Sequence, residues 1–568
     1  MAEYLHPGVY VEEYDSGAVP MQGVSTSTAG FIGLAERGPV VGQPQLVTSF
    51  ADYKRMYGGY LSEAKYGTNR YLPYAVEQFF LNGGSRAYIM RAAAEDSKCA
   101  EATAGVLNIM AANVGQWGDK IRVTIVPASK AKTQVLSADG ADLTVKNPDG
   151  FNPGDVVELF DGTNRDYAVV KGALDKVITL DAVPTVDAVD AKVGTAKYIR
   201  TCEVTVSVKL DDVVETFSEV SLNSFASNYI GIKAAKSDLV RFSVSAPVSG
   251  DDEAAVPFAQ VGGTGDVLTV ALVGGSDGNV AKVSAATYIG ADNGPGKRTG
   301  LQAFIENNNV SIMAIPGVTD ANVQSTLIAF CENRASCFAI LDLPLELKKT
   351  NEVAEFRDMY DSNYAAAYHP WVEMMDMGSK RPAYFPPSGA MAGVFARVDV
   401  DRGVHKAPAN EIVRGCTGLS CSYNDAEQDI LNPIGVNLIR AFTGRGIRVW
   451  GARTMSSNGL WKYINVRRLF IYVEQSIKNN TSWVVFEPNS EALWGRVKRT
   501  VETFLATCWR DGALAGSTPE QAYFVECGPT TMTQDDIDNG RLICNIGIAP
   551  VKPAEFVVFR ITQKTASE

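Results

Sequence analysis

An alternation of strands and helices stops near residue 95 and resumes near residue 310, and the stretch between has another texture. The apolar run Phe31-Ile32-Gly33-Leu34 reads as a buried strand ending before Gly38-Pro39. A helix around residues 50–57 stops at Gly58-Gly59, and Leu72, Val76, Phe79 and Phe80 make one helical face closed by Asn82-Gly83-Gly84. Ala87-Tyr88-Ile89-Met90 is the next strand. The same pattern returns with an apolar run at 310–316, a helix near 322–334 and a second run at 338–344. Two strands joined by a helix imply a parallel pair, and the alternation is that of an α/β layer.

Residues 129–260 instead carry short alternating runs, such as 156–160 and 177–180, separated by Asp139-Gly140, Asp149-Gly150 and Asp161-Gly162. Asp-Gly between alternating runs marks hairpins, so this stretch reads as a β-rich, exposed insertion. A chain of 568 residues exceeds what one core supports, and three or four domains are expected. The formal charge of −12 is uneven: residues 1–368 hold 30 basic and 44 acidic side chains, residues 369–568 hold 22 and 20. Within the latter, residues 440–510 carry 12 Lys or Arg against Glu474, Glu487, Glu491 and Glu502. A basic segment in an acidic protein points to an acidic partner for that face. Residues 460–477 place Val466, Leu469, Phe470, Val473 and Ile477 on one stripe, with Arg467, Arg468 and Lys478 off it. Residues 493–509 repeat the pattern, with Arg496, Lys498 and Arg499 off the stripe, so both helices are expected to expose their cations.

The ends read as arms. Pro7 forbids an early helix, and Val9-Tyr10-Val11 alternates like a short strand in an extended segment that has no core of its own. Phe556-Val557-Val558-Phe559-Arg560-Ile561 is a β-prone run between Pro553 and a polar tail. Terminal strands pair inside their own sheet or are added to another chain's sheet.

The residues that carry catalysis or metal binding are sparse. Only His6, His369 and His405 are available, and the spacings Cys331/Cys337 and Cys416/Cys421 fit neither C-x-x-C nor finger patterns. The stretch Gly290 to Thr299 fails as a phosphate loop, because Ala291 and Arg298 stand where Gly and Ser or Thr are needed. No cofactor or metal is expected. Nine Cys and a start without signal-peptide character point to a cytoplasmic product with free thiols, and no apolar run approaches a membrane span. Trp450, Trp461, Trp483 and Trp494 interleave with the basic residues, but 461 and 494 fall near the apolar stripes, which favours core packing over nucleic acid binding.

The order of several segments resembles contractile tail sheath proteins of bacteriophages and related contractile injection systems. These are His6-Pro7-Gly8-Val9-Tyr10-Val11-Glu12-Glu13, Gly30-Phe31-Ile32-Gly33 with Arg37-Gly38-Pro39, and residues 75–91. Downstream follow Gly115-Gln116-Trp117-Gly118-Asp119, Leu272 to Gly278, Pro370-Trp371, Pro386-Pro387-Ser388-Gly389 and Arg448-Val449-Trp450-Gly451-Ala452-Arg453-Thr454.

The resemblance implies a structural protein, not an enzyme: a helical homopolymer around an inner tube protein, contracting on a baseplate signal to drive the tube through the target envelope. Baseplate and tail terminator proteins are the other implied partners, with no direct nucleic acid and no membrane insertion. The implied place is the virion tail sheath, made in the host bacterial cytoplasm, or the sheath of a headless bacteriocin or type VI-like injection system. It further implies a multi-domain, mixed α/β fold, with an inner domain built from both chain ends and β-rich inserted outer domains. The expected division is an N-terminal arm at 1–30, an inner core at 31–95 and 350–550, a middle outer α/β domain at 96–128 and 201–349, a β-rich insertion at 129–200 and a C-terminal strand arm at 551–568. Val9, Tyr10, Val11, Phe556, Val557, Val558, Phe559 and Ile561 are then intersubunit strand residues, and Arg467, Arg468, Lys478, Arg496, Lys498 and Arg499 are candidates to face the tube. The competing readings are an α/β hydrolase or nucleotide-binding enzyme and, from the β-rich insertion, a carbohydrate-binding or adhesin protein.

Overall fold

The computed structural model describes residues 21–190, 197–245, 253–280, 283–558 and 560. Val9, Tyr10, Val11, Phe559 and Ile561 lie outside the described residues.

The centre is an eight-stranded sheet in the order Gln45–Val47, Ala87–Ala92, Ala29–Leu34, Ile312–Ala314, Phe338–Asp342, Ala365–His369, Val436–Phe442, Gly446–Val449. The inner six strands are parallel, and an antiparallel strand closes each edge. Parallel strands are covered on both faces, which is why Ala29–Leu34, Phe338–Asp342 and Ala365–His369 are buried at every position. Their residues alternate between two cores: Phe31, Phe338, Ala366 and Tyr368 pack with Phe79 and Phe395, whereas Ile32, Met313, Ala339 and Ala367 pack with Phe304 and Leu327. Strands Ile312–Ala314 and Phe338–Asp342 are the parallel pair expected from the sequence, joined by the helix Ala321–Arg334.

That pairing corrects one expected boundary. The expected middle outer domain at 96–128 and 201–349 includes Ile312–Ala314, which bonds directly to Ala29–Leu34 in the central sheet. A three-residue strand buried on both faces is stable only between two neighbours, and Ala29–Leu34 and Phe338–Asp342 supply them.

On one face the helices Leu72–Leu81 and Ser388–Arg402 cross closely. A Cβ on Gly389 would sit 2.4 Å from the Ala75 carbonyl oxygen, and one on Gly393 would sit 2.5 Å from that of Phe79. Only glycine permits that approach. Ser388, the first residue of its helix, donates through backbone N (2.8 Å) and Oγ (2.6 Å) to the buried Asp342 carboxylate at the end of its strand. Arg70 Nη1 (2.8 Å) and Tyr74 OH (2.6 Å) likewise meet Asp376, joining segments some 300 positions apart.

The connections between Ala92 and Ile312 bear the outer parts. Strands Arg122–Ala128, Glu203–Leu210, Val213–Val220 and Leu268–Ala271 form one sheet and Glu101–Ala104, Leu107–Ala111 and Val240–Val244 another, around a shared core. Beyond them stands a seven-stranded antiparallel sheet from residues 132–201 with its own core. Asp139-Gly140 and Asp161-Gly162 are hairpin turns, as expected. Asp149-Gly150 is not, because Asp142–Val145 and Val156–Phe160 are not neighbours. The third hairpin turns instead on Asp175 and Lys176, at φ 45° and 69°, a left-handed pair the sequence did not advertise.

The helices Ile464–Asn480 and Glu491–Arg510 follow the sheet, and Val525, Ile546 and Ile548 of a two-stranded sheet, Tyr523–Cys527 with Cys544–Ile548, pack onto Phe504, Leu505 and Cys508.

Candidate assembly interface

One helix holds the described ends of both arms. Residues 21–28 run along Ile464–Asn480: Gln22 and Asn480 exchange two hydrogen bonds (3.2 and 2.8 Å), Val24 N donates to Ser476 Oγ (3.1 Å), and Arg468 Nη2 donates to the Thr26 carbonyl (2.9 Å). At the helix N-terminus Asn465 Nδ2 donates to the Val551 carbonyl (3.1 Å) and Tyr463 OH to Glu555 Oε2 (3.0 Å).

Among the described residues Glu555 is the last fixed point of the C-terminal segment. Arg453 binds its carboxylate with Nε (2.8 Å) and Nη2 (2.7 Å), and Asn432 Nδ2 donates at 2.8 Å. Burial pushes this carboxyl up, but the hydrogen bonds from Arg453 and Asn432 and the guanidinium charge outweigh it, and Glu555 titrates below its ordinary range. Immediately beyond, Phe556, Val557 and Val558 are 73%, 68% and 77% exposed. The β-prone run has no ladder partner in its own chain among the described residues.

The two-stranded sheet Tyr523–Cys527/Cys544–Ile548 is paired only internally among the described residues, which leaves both outer edges with backbone groups free for a further strand. Two strands alone are marginal in water, and here one face is stabilised by the Glu491–Arg510 helix while Phe524 stands 55% exposed on the other.

The six basic residues singled out in the sequence divide in two. Lys478, Arg496, Lys498 and Arg499 are exposed; Arg496 meets Glu487 at 3.1 Å and Lys498 meets Glu502 at 3.9 Å. Arg467 and Arg468 are buried, which corrects the expectation that they lie on an exposed face. The helix is sandwiched: Ile464 and Ile471 enter the central core while Leu469 and Val473 enter the C-terminal one, so its flanks are covered as well. Arg468 forms a fork on Asp399 (2.8 and 2.5 Å) with its guanidinium 4.8 Å from the Phe395 ring. Arg467 stacks between Trp461 (3.6 Å) and Tyr364 (4.6 Å), and burial lowers its pKa. Neither is available to a partner.

Sequence reasoning missed Glu555, Arg453, Tyr463 and Asn465. Arg453 lay within a segment already noted, but its carboxylate partner stands 102 positions away, and no local pattern links them.

Among the described residues no group of three or more His, Cys, Asp and Glu is placed to hold a metal ion, and no helix is long and apolar enough to cross a membrane. His369 is fully buried, with Nε2 2.9 Å from Tyr423 OH, and burial lowers its pKa to about 4.

Comparisons with known proteins agree with this architecture. Residues 281–455 match a family model described as phage tail sheath protein central domain, and residues 456–564 match phage tail sheath C-terminal domain. A putative prophage major tail sheath protein of Pseudomonas aeruginosa is 25% identical over 304 residues, 51% of this chain and 76% of that protein. The tail sheath protein of Burkholderia phage BcepMu is 26% identical over 304 residues, 50% of this chain and 62% of that one. Among solved structures, the sheath of an extracellular contractile injection system in its contracted state superposes with a TM-score of 0.53 at 21% identity, covering 99% of both chains.

Proposed function

The chain belongs to the phage tail sheath family, whose two models together span residues 281–564, half of its length, and on that premise we propose that it polymerises into a helical contractile sleeve and works as a structural protein rather than an enzyme. The observation that carries this reading is the pair formed by an exposed apolar segment fixed at Glu555 and a two-stranded sheet with open edges. Phe556 to Ile561 of one subunit adds to the edge of that sheet in a neighbour, and Val9 to Val11 serves the second edge. Backbone hydrogen bonds of an added strand are directional and survive rotation of one body against the next, whereas side-chain contacts between outer faces can be exchanged. A contact that does not close on itself generates an open filament. Such links persist while the packing of nearly rigid subunits switches from extended to contracted.

The sleeve surrounds an inner tube protein, starts on a baseplate and ends at a terminator, in the tail of a phage or an injection device assembled in the bacterial cytoplasm. Lys478, Arg496, Lys498 and Arg499 supply the exposed positive charge for an acidic surface of the tube. Contact through exposed, screened charges is weak enough for release.

Truncation after Glu555 tests the arm. It is expected to leave folded monomers that sediment without forming striated sleeves, and sleeves of normal length from the truncated chain would refute it. Removal of residues 1–20 has the same expected outcome. For the tube face, Lys478→Glu with Arg499→Glu is expected to give sheaths that form without tubes inside, and normal loaded tails would refute the assignment.

A further inference from the structure

Cys527 and Cys544 are direct partners across the antiparallel pair Tyr523–Cys527/Cys544–Ile548, one at the end and the other at the start of its strand. Directly opposed residues in such a pair have Cα atoms about 4.5 or 5.5 Å apart depending on their place in the ladder, and both spacings fall within the roughly 4.4–6.8 Å that a disulfide spans. Register partners project on the same face of the sheet, so the two thiols stand on one side of it. Both side chains are half-buried at the rim between the Phe504 core and the smaller cluster of Trp494, Met532 and Leu542, so a small reagent reaches them. Neither belongs to the expected arms or to the basic face.

We propose that Cys527 and Cys544 are a thiol–disulfide modification site, converted by a low-molecular-weight disulfide such as oxidised glutathione into a cross-strand bond that staples the two-stranded sheet. The Cys527 thiol loses its proton and the thiolate attacks one sulfur of the reagent, forming a mixed disulfide and expelling one reagent thiolate. The Cys544 thiolate then attacks the Cys527 sulfur, forming the protein disulfide and expelling the second. Two protein thiols are oxidised, one reagent disulfide is reduced to two thiols, and the two protons pass to the expelled thiolates. Burial raises both thiols, Cys544 to about 12, so exchange is slow at neutral pH and accelerates in mild alkali.

The bond would close the connection at 528–543, which carries the helix Gln534–Asp538 and the Arg541 ion pairs to Asp535 and Asp536. Its two ends could no longer part, so the strands are held in register independently of what occupies the outer edges. The site is defined within one chain and does not depend on polymerisation.

The molecule contains its own control. Cys331 and Cys337 touch, at 3.5 Å, but they are 0% and 1% exposed, so the reagent cannot reach them in the folded chain. The test exposes the full-length chain to oxidised glutathione at mildly alkaline pH, blocks remaining thiols after unfolding, and maps peptides without reduction. The expected result is a peptide pair linked through Cys527 and Cys544 with Cys331 and Cys337 still blocked as thiols, and amide exchange at Val525 and Ile546 slowed at least about tenfold. Cys544→Ser is expected to stop at a glutathione adduct on Cys527. Recovery of both cysteines as free thiols, or of stable adducts without the cross-link in the unsubstituted chain, would overturn the proposal. So would a cross-link that leaves exchange at Val525 and Ile546 unchanged.

Discussion

Replacing Glu555 by Gln keeps the shape of the C-terminal latch and removes its charge. The carboxylate accepts two bonds from Arg453, one from Asn432 and one from Tyr463, and the Arg453 side chain is 6% exposed. In the amide one oxygen still accepts from Arg453 Nε and Asn432, and Tyr463 can turn to accept. The new NH2, however, faces Arg453 Nη2, donor against donor. One charge-assisted bond and the attraction to a nearly buried guanidinium are lost, a cost of about 2–3 kcal/mol, because Arg453 keeps a bond from Nη1 to the Asn432 carbonyl (3.0 Å). That cost corresponds to about a 30- to 150-fold rise in the undocked population of the segment. Chymotryptic cleavage after Phe556 on monomers at low protease reads this population directly, since the site enters the protease only when its N-terminal side is free. The expected outcome is cleavage faster by that factor with an unchanged melting temperature, because a terminal segment opens without the core. Cleavage within about twofold of wild type would refute the latch. Acid mimics the substitution: Glu555 titrates lower in the folded chain than in the unfolded one, so docking is complete above about pH 4.3 and weakens as the pH falls below it.

The buried cations and close helix contacts give three further expectations. Arg468→Met leaves Asp399 buried and unpaired and should destabilise the whole chain by about 3–5 kcal/mol in urea unfolding, whereas Lys478→Glu should change stability by less than about 0.5 kcal/mol; equal effects would contradict the placement of Arg468. Gly393→Ala gains about 1 kcal/mol of helix propensity but drives a methyl to 2.5 Å from a backbone oxygen; overpacking of about 1–3 kcal/mol wins, and a lower melting temperature is expected. Asp376 is pushed up by burial but held down to about 2 by bonds from Tyr74, Gly378 N, Arg70 and Ser379, so it contributes roughly 2–3 kcal/mol of stability above about pH 4 that is lost between about pH 4 and 2, and Asp376→Asn should flatten that part of a pH–stability curve.

The parallel strands were legible because burial on both faces leaves no room for polar residues, and Phe31 to Leu34 and Phe338 to Leu341 show it. The Asp-Gly hairpins at 139 and 161 were legible because left-handed turns select for Gly. Asp175-Lys176 was not, since its left-handed pair uses residues that carry no such signal. The fate of Arg467 and Arg468 was hidden for a different reason. A single apolar stripe predicts one buried face, but this helix lies between two cores, and burial of its flank is decided by Asp399, Tyr364 and residues 21–28, all remote in sequence. The latch at Glu555 is hidden in the same way, and residues 556–561 were readable only as β propensity without a partner.

The attachment of both arms to one helix constrains how a sleeve of such chains can move. Asn465 and Tyr463 hold the C-terminal segment at one end of Ile464–Asn480, and Ser476 and Asn480 hold the N-terminal segment at the other. The span between the outer anchors Tyr463 and Asn480 covers the whole helix, roughly 25 Å at 1.5 Å per residue. Because the helix is wedged between two cores, that spacing is fixed by packing and does not change when subunits repack against one another. Among the described residues the chain beyond this anchored stretch carries exposed apolar side chains at Phe556, Val557 and Val558. If the arms link neighbours as proposed, links that emanate from a rigid helix transmit a rotation of one subunit to the next with little loss. A disulfide engineered within the helix region should therefore leave contraction intact, whereas one that ties Phe556 to its own subunit should abolish assembly.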